Sequence, residues 1–317
     1  MGGTPSVPAF SRVGAGGGGQ VEQVRRRDAI LAGAGTKDTT LRWLSFWDEE
    51  DYHPEDFRGW ANFGFTRNVT QIRRGAAMGM HHLLKVQEHF WFSPGKKQPL
   101  NIREDWQRSW ANFREAVAQP LWDEGAIFGF DMGDELLWQG LNPEHLEVAA
   151  ARVREDFPRA VIWSNEAKGP VRNGKAARVN LAFNRVAPAL SWFSVDIYHK
   201  DPRANFTQQV REFYEQFVYP KMMPNQTVLL VPPAFSSTMN KKCDNACYEK
   251  FCVEDAWEFY KWAWEDPRVV GIMPYHWNPC KWCRNTRNEI GVKDMVETKQ
   301  AWYDIGRKIR EHGGEEL

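Results

Sequence analysis

Short apolar runs recur along the chain at intervals of roughly 30 to 40 residues, separated by stretches with helical spacing of apolar positions. The runs are LRWLSFWD (41–48), FGFTRN (63–68), HHLLKVQEHFW (81–91), AIFGFDMGDELLW (126–138), AVIWSNEA (160–167), LSWFSVDIYHK (190–200), TVLLVPPAF (227–235) and VVGIMPYHWN (269–278). Each reads as a strand. Between them the pattern predicts helices over 70–79, 103–122, 142–157, 206–218, 248–264 and 298–311, a polar helix-compatible stretch over 54–62, and a Gly/Asn-rich loop over 169–180. Asn142 and Pro143 supply an N-cap and a first-turn proline for the third of these helices. Strands alternating with helices are the signature of a parallel sheet, and eight such units favour closure over an open doubly wound sheet. The predicted fold is α/β, a single (β/α)8 TIM barrel over 38–317, preceded by a Gly-rich, mobile lead-in over 1–37.

Charge and composition remove several classes. Lys plus Arg equals Asp plus Glu, 41 each, with no basic block, so nothing marks a nucleic-acid surface. No apolar run is long enough to span a bilayer. Neither a Gly-x-Gly-x-x-Gly turn nor a Gly-x-x-x-x-Gly-Lys loop occurs, no His pair stands at catalytic zinc spacing, and no cofactor is expected. His81 and His82, ahead of the third strand, read as surface residues. Oligomeric state is left open.

The five cysteines, 243, 247, 252, 280 and 283, crowd the last quarter of the chain. Cys243, Cys247, Cys280 and Cys283 could form two local disulfides, cross-link two loops, or offer four thiolates to a structural zinc. Disulfides are favoured, because the sequons at Asn68, Asn205 and Asn225 also fit a glycoprotein of the secretory pathway or a secreted chain. No signal peptide is visible in the sequence.

The candidate chemistry lies at the C-terminal strand ends, where barrels of this kind carry their sites. Those ends supply Trp47, Asp48, Gln87, His89, Asp134, Glu135, Glu166, Asp196, Tyr198, Tyr275 and Trp277. On the fourth strand, alternation puts Asp131, Gly133 and Glu135 on one face, and carboxyls so close together resist ionisation unless partnered. Glu135 is therefore the candidate acid. Asp134 and Asp196 are its candidate partners, with Glu166 and Asp48 in reserve. Asp131 lies one pleat deeper, opposite an inward Lys85.

A buried strand ending Gly-Asp-Glu, a sixth strand reading Ser-Val-Asp-Ile-Tyr and an eighth ending Tyr-His-Trp resemble the (β/α)8 glycoside hydrolases as a superfamily. The resemblance covers about 41–312. It implies cleavage of an O-glycosidic bond in an oligo- or polysaccharide, with Glu135 as acid/base and Trp277 as a platform under a sugar. The carbohydrate would meet Trp47, Asp48, Gln87, His89, Asp131, Glu166, Tyr198, Tyr275 and Trp277. One departure stands out: the seventh strand ends Val231-Pro232-Pro233-Ala234-Phe235, where many retaining members place a nucleophilic Glu. Hexosaminidase- and chitinase-like members instead pair a fourth-strand Glu with an Asp that steadies a 2-acetamido group. Asp131, Asp134, Glu135, Asp196 and Tyr198 form a similar set, although Gly133 stands where those members carry an Asp. Two other readings remain: a catalytically silent barrel that binds glycans or a protein, and a lyase or aldolase using Lys85.

Overall fold

The structure, a computed structural model, describes residues 39–47, 52–95, 98–176, 179–198, 205–237, 243–278 and 289–313, together with the isolated Val24. Apart from Val24, the expected lead-in over 1–37 lies outside them, as do Asp48, Cys280 and Cys283. Eight parallel strands form one sheet: β1 (Trp43–Leu44), β2 (Phe63–Thr66), β3 (His81–Lys85), β4 (Gly129–Asp134), β5 (Val161–Ala167), β6 (Trp192–Asp196), β7 (Thr227–Leu230) and β8 (Val269–Ile272). From β2 to β8 each strand pairs with the next, and β1 pairs with β8, with Trp43 opposite Gly271. At the remaining seam, between β1 and β2, Asn62 takes over. Its side chain accepts from Leu44 N (3.0 Å) and donates to Arg42 O (2.7 Å), while its own N–H donates to Leu44 O (3.1 Å). The expected (β/α)8 barrel is therefore the observed fold.

Two apolar shells follow from strand alternation. Outward residues such as Leu84, Phe130, Ile162, Phe193 and Ile272 pack against the helices. Inward residues fill the barrel with aromatic rings. At its lower end Trp43 stacks on Phe128 (4.7 Å between centroids), and both touch Phe63 and Trp192. A Cβ on Gly271 would come within 2.6 Å of Trp43 Cβ and 2.8 Å of Leu229, so only glycine lets β8 approach this layer. The barrel interior is a packed core.

The helices lie close to their expected places. Asn142 caps the helix Pro143–Asp156 by accepting from Glu144 N (3.1 Å). The helix beginning at Trp106 passes through a π-helical turn at Arg114–Ala118 before Gln119–Asp123. Three expectations are corrected. The third strand stops at Lys85, and Gln87–Phe90 is a helical turn. Within the expected loop, Lys168–Asn173 is helical and ends at Gly174 with φ 70°, a left-handed cap that glycine adopts without strain. His81 and His82 are buried as the first residues of β3; His82 Nε2 lies 3.0 Å from the Tyr52 hydroxyl, and burial, helped by His81, pushes its pKa down to about 3.

Cys243 and Cys247 are joined in a disulfide, which takes both sulfurs out of the four-thiolate alternative; Cys252 is a buried free thiol. Among the described residues no helix is long and apolar enough to cross a membrane.

Candidate active site

The upper end of β4 does not follow simple alternation. Asp131 pairs with Trp163, but the next match is Asp134 with Asn165, so three steps on β4 face two on β5. This bulge is centred on Gly133, whose φ of 133° is open to glycine and costly for other residues. It turns Asp134 to the level of Asn165, whose Nδ2 donates to Asp134 Oδ1 (2.8 Å). Glu135 then adopts φ 48°, a left-handed conformation rare outside glycine, and its N–H donates to Asn165 O (3.0 Å). The expected face of Asp131, Gly133 and Glu135 is thus replaced by a pair, Asp134 and Glu135, re-aimed by one glycine.

On β6, alternation runs as expected. Trp192 and Ser194 point inward, with Trp163 Nε1 donating to Ser194 Oγ (2.8 Å), and Asp196 continues that phase at the strand's end. There Glu135, Asp134 and Tyr198 lie near enough to Asp196 to act on its charge. Carboxyls gathered this closely away from water favour keeping a proton among them. Burial raises the Glu135 pKa above the usual carboxylate range. Asp196 is raised well above its ordinary value, by burial first and then by the charges of Asp134 and Glu135. Tyr198 is pushed up in turn by burial and the neighbouring acids, so it stays a hydroxyl donor. The arrangement favours carboxyls that stay protonated above the usual carboxylate range, which is what a general acid requires.

Aromatic rings wall the cleft. Tyr198 stacks on Tyr275 (5.1 Å), Phe235 meets both edge-on (5.8 Å to each), and Trp47 lies 6.0 Å from Tyr275 and 5.9 Å from Trp163. Phe235 thus occupies the end of the seventh run, where a nucleophilic carboxylate was looked for. Its contribution, and that of Asn165, is hard to see in sequence because neither residue is distinctive in type; only their position at strand ends marks them.

The remaining candidates fall elsewhere. Trp277, expected under a sugar, is buried among Phe46, Phe57 and Trp60 outside the barrel, with Nε1 donating to Asp56 (3.1 Å), because the chain leaves strand geometry after Ile272. His89 rides on the helical turn that ends the third run and stacks on Phe113 (3.9 Å), its Nδ1 3.2 Å from Ser109 Oγ. Asp131 is buried below the cleft, level with Lys85 in register, and accepts from Gly133 N (2.9 Å). Gln87 remains near the bulge, since a Cβ on Gly133 would lie 3.1 Å from its Oε1. Glu166 stands on the outward phase of β5, 1% exposed, and its oxygens accept from Leu137 N (3.0 Å) and Trp138 N (3.2 Å), which leaves no open side toward a substrate.

The barrel is shared with several solved structures. The chain is similar to xylanase 10B from Thermotoga maritima, with TM-score 0.57 and 13% identity over 86% of this chain and 97% of that one. It is also similar to the Thermobacillus composti GH10 xylanase (TM-score 0.53, 14% identity, 86% and 97% covered). A GH2 beta-galacturonidase from Eisenbergiella tayi matches with TM-score 0.53 and 10% identity over 84% of this chain and 51% of that one. The likeness is one of fold, a shared (β/α)8 barrel. No known sequence family and no curated protein matches the chain.

Proposed function

We propose that the chain is a glycoside hydrolase that cleaves an O-glycosidic bond of an oligo- or polysaccharide, with Glu135 as proton donor. The observation that carries this reading is the cluster of Asp134, Glu135 and Asp196 at the C-terminal ends of β4 and β6, where burial raises the Glu135 and Asp196 pKa values. In this reading Asp196 helps keep Glu135 protonated and aimed at the leaving-group oxygen. Asp134, fixed by Asn165, is the carboxylate left to stabilise positive charge developing on the sugar ring. Tyr198, Tyr275, Phe235 and Trp47 provide flat faces against which pyranose rings pack. A secretory location is proposed as well, on the Cys243–Cys247 disulfide and the exposure of Asn68, Asn205 and Asn225.

The test is hydrolysis of a panel of aryl glycosides and polysaccharides, N-acetylhexosaminides included, by wild type and Glu135→Gln. Loss of a general acid lowers kcat by about 10²- to 10⁴-fold; retained turnover in a folded variant sinks the assignment. A second reading, a silent glycan-binding barrel, is favoured by the carboxylate-free stretch Val231–Phe235. Equal oligosaccharide binding by wild type and variant, with no cleavage by either, selects it. Borohydride trapping at Lys85 with a carbonyl substrate selects the lyase instead.

A further inference from the structure

We propose that Glu166 is the positioning residue of the proton donor: its buried carboxyl clamps the turn after Glu135 and holds that side chain against Asp196. The proposal rests on the reading of Glu135 as the acid.

Glu135 sits at φ 48° at the head of a tight turn closed by Gln139 N to Glu135 O (2.9 Å), Gly140 N to Leu137 O (2.9 Å) and Leu141 N to Leu136 O (3.0 Å). Gln139 Nε2 ties the turn back to Asp134 O (2.9 Å), and the end of β5 holds it from the neighbouring strand. Asn165 takes the Glu135 N–H on its carbonyl and gives Nδ2 to Asp134, and the next residue, Glu166, receives the N–H groups of Leu137 and Trp138. Successive residues on β5 thus grip the turn from both faces of the strand, the inward one through Asp134 and the outward one through the backbone two and three residues past the acid.

A carboxylate is a costly choice for this task, because an amide or hydroxyl could accept the same bonds without burying charge. Burial, together with the charges of Asp134, Glu135 and Asp196, lifts the Glu166 pKa well above the carboxylate range despite the Leu137 N–H. A carboxyl so raised is held neutral, so the clamp acts through geometry, its oxygens fixing the turn that carries Glu135.

The experiment compares wild type, Glu166→Gln and Glu166→Asp by kcat and KM, by the pH profile, and by infrared titration of the Glu135 carboxyl in ligand-free protein. Glu166→Gln keeps one acceptor oxygen but turns an amide NH2 donor toward the Leu137 and Trp138 N–H groups. It is expected to lower kcat by about 10- to 100-fold with KM little changed, and to move both the basic limb and the Glu135 titration to lower pH, because the loosened turn lets that carboxyl reach water. Glu166→Asp withdraws the acceptor oxygens by one methylene, so kcat and the titration midpoint move in the same direction. If Glu166→Gln fails to fold, the Asp variant decides: unchanged kcat overturns the clamp. A Glu166→Gln protein that is merely less stable, with kcat and titration unmoved, overturns it as well. The infrared titration needs no turnover. A shifted midpoint in a protein that cleaves no glycoside therefore keeps the clamp and removes the hydrolase reading, whereas active protein without a shift does the reverse.

Discussion

Two aspartates at opposite ends of the barrel show how one residue type is put to different uses. Asp266, just ahead of β8 at the N-terminal end, is 3% exposed and surrounded by donors: Arg268 Nε (2.8 Å), Arg268 N (3.0 Å), the Tyr219 hydroxyl (2.9 Å) and Trp262 Nε1 (3.2 Å). Burial pulls its pKa up, but those bonds pull harder, and the net shift is downward. Asp196, at the C-terminal end of β6, is buried beside Asp134 and Glu135, and its net shift is strongly upward. The lower carboxylate is satisfied as an anion. The upper one is kept from becoming one, which costs stability and leaves a proton available. Barrels separate stability and chemistry between their two ends in this sense.

The comparison is sharpened first by removing each group. Asp266→Ala removes one of the two carboxylate partners of the part-exposed Arg268 and leaves the Tyr219 and Trp262 donors unmet, a loss of about 1–3 kcal/mol in urea unfolding, with activity per folded molecule retained. Asp196→Asn is expected to hold stability or raise it by about 1 kcal/mol while kcat falls. Equal destabilisation by the two substitutions would erase the distinction.

A second, smaller effect concerns pH. The lowered pKa of Asp266 means that its contribution is present above its unfolded value, about 3.9, and is lost as pH falls through the folded value. For Glu135, Glu166 and Asp196 the folded pKa values are raised, so stability is full below the unfolded values of about 4 and declines as pH rises toward the folded ones. Melting temperature against pH should therefore lose its acid-side fall in Asp266→Ala and part of its decline above pH 4 in Asp196→Asn. The opposite assignment of the two changes would mean that the environments are misread.

Much of this division was legible in the sequence, and the failures have a common cause. The eight strands and their helices announce themselves by periodicity, which depends only on neighbours along the chain. Asp196 and Tyr198 were placed by the same rule, because β6 is regular up to Asp196. Where pairing across strands decides, the sequence is silent. The bulge at Gly133 exists because β4 must match β5, and it moves Asp134 and Glu135 off the expected phase. Glu166 has the composition of a site residue, but its outward phase on β5 puts it under the turn. Trp277 and His89 were carried inward by extending alternation past Ile272 and Lys85, where the strands end.

Asn68 gives the finest test, because it lies at the mouth end of the barrel yet does structural work. Its Oδ1 accepts from Thr70 N (3.0 Å) and Gln71 N (3.2 Å), capping the helix Val69–Ala77 that follows β2, and the residue is exposed. Asn68→Ala should cost about 1 kcal/mol and leave the pH profile of activity unchanged, while Asn68→Asp restores the cap. A profile that moves with Asn68→Ala would show that polar residues near the mouth act on the cleft collectively. An unchanged one would confine the chemistry to the ends of β4, β5 and β6, because the capping bonds of Asn68 are made on the solvent side of β2 and carry no charge to the Glu135–Asp196 pair.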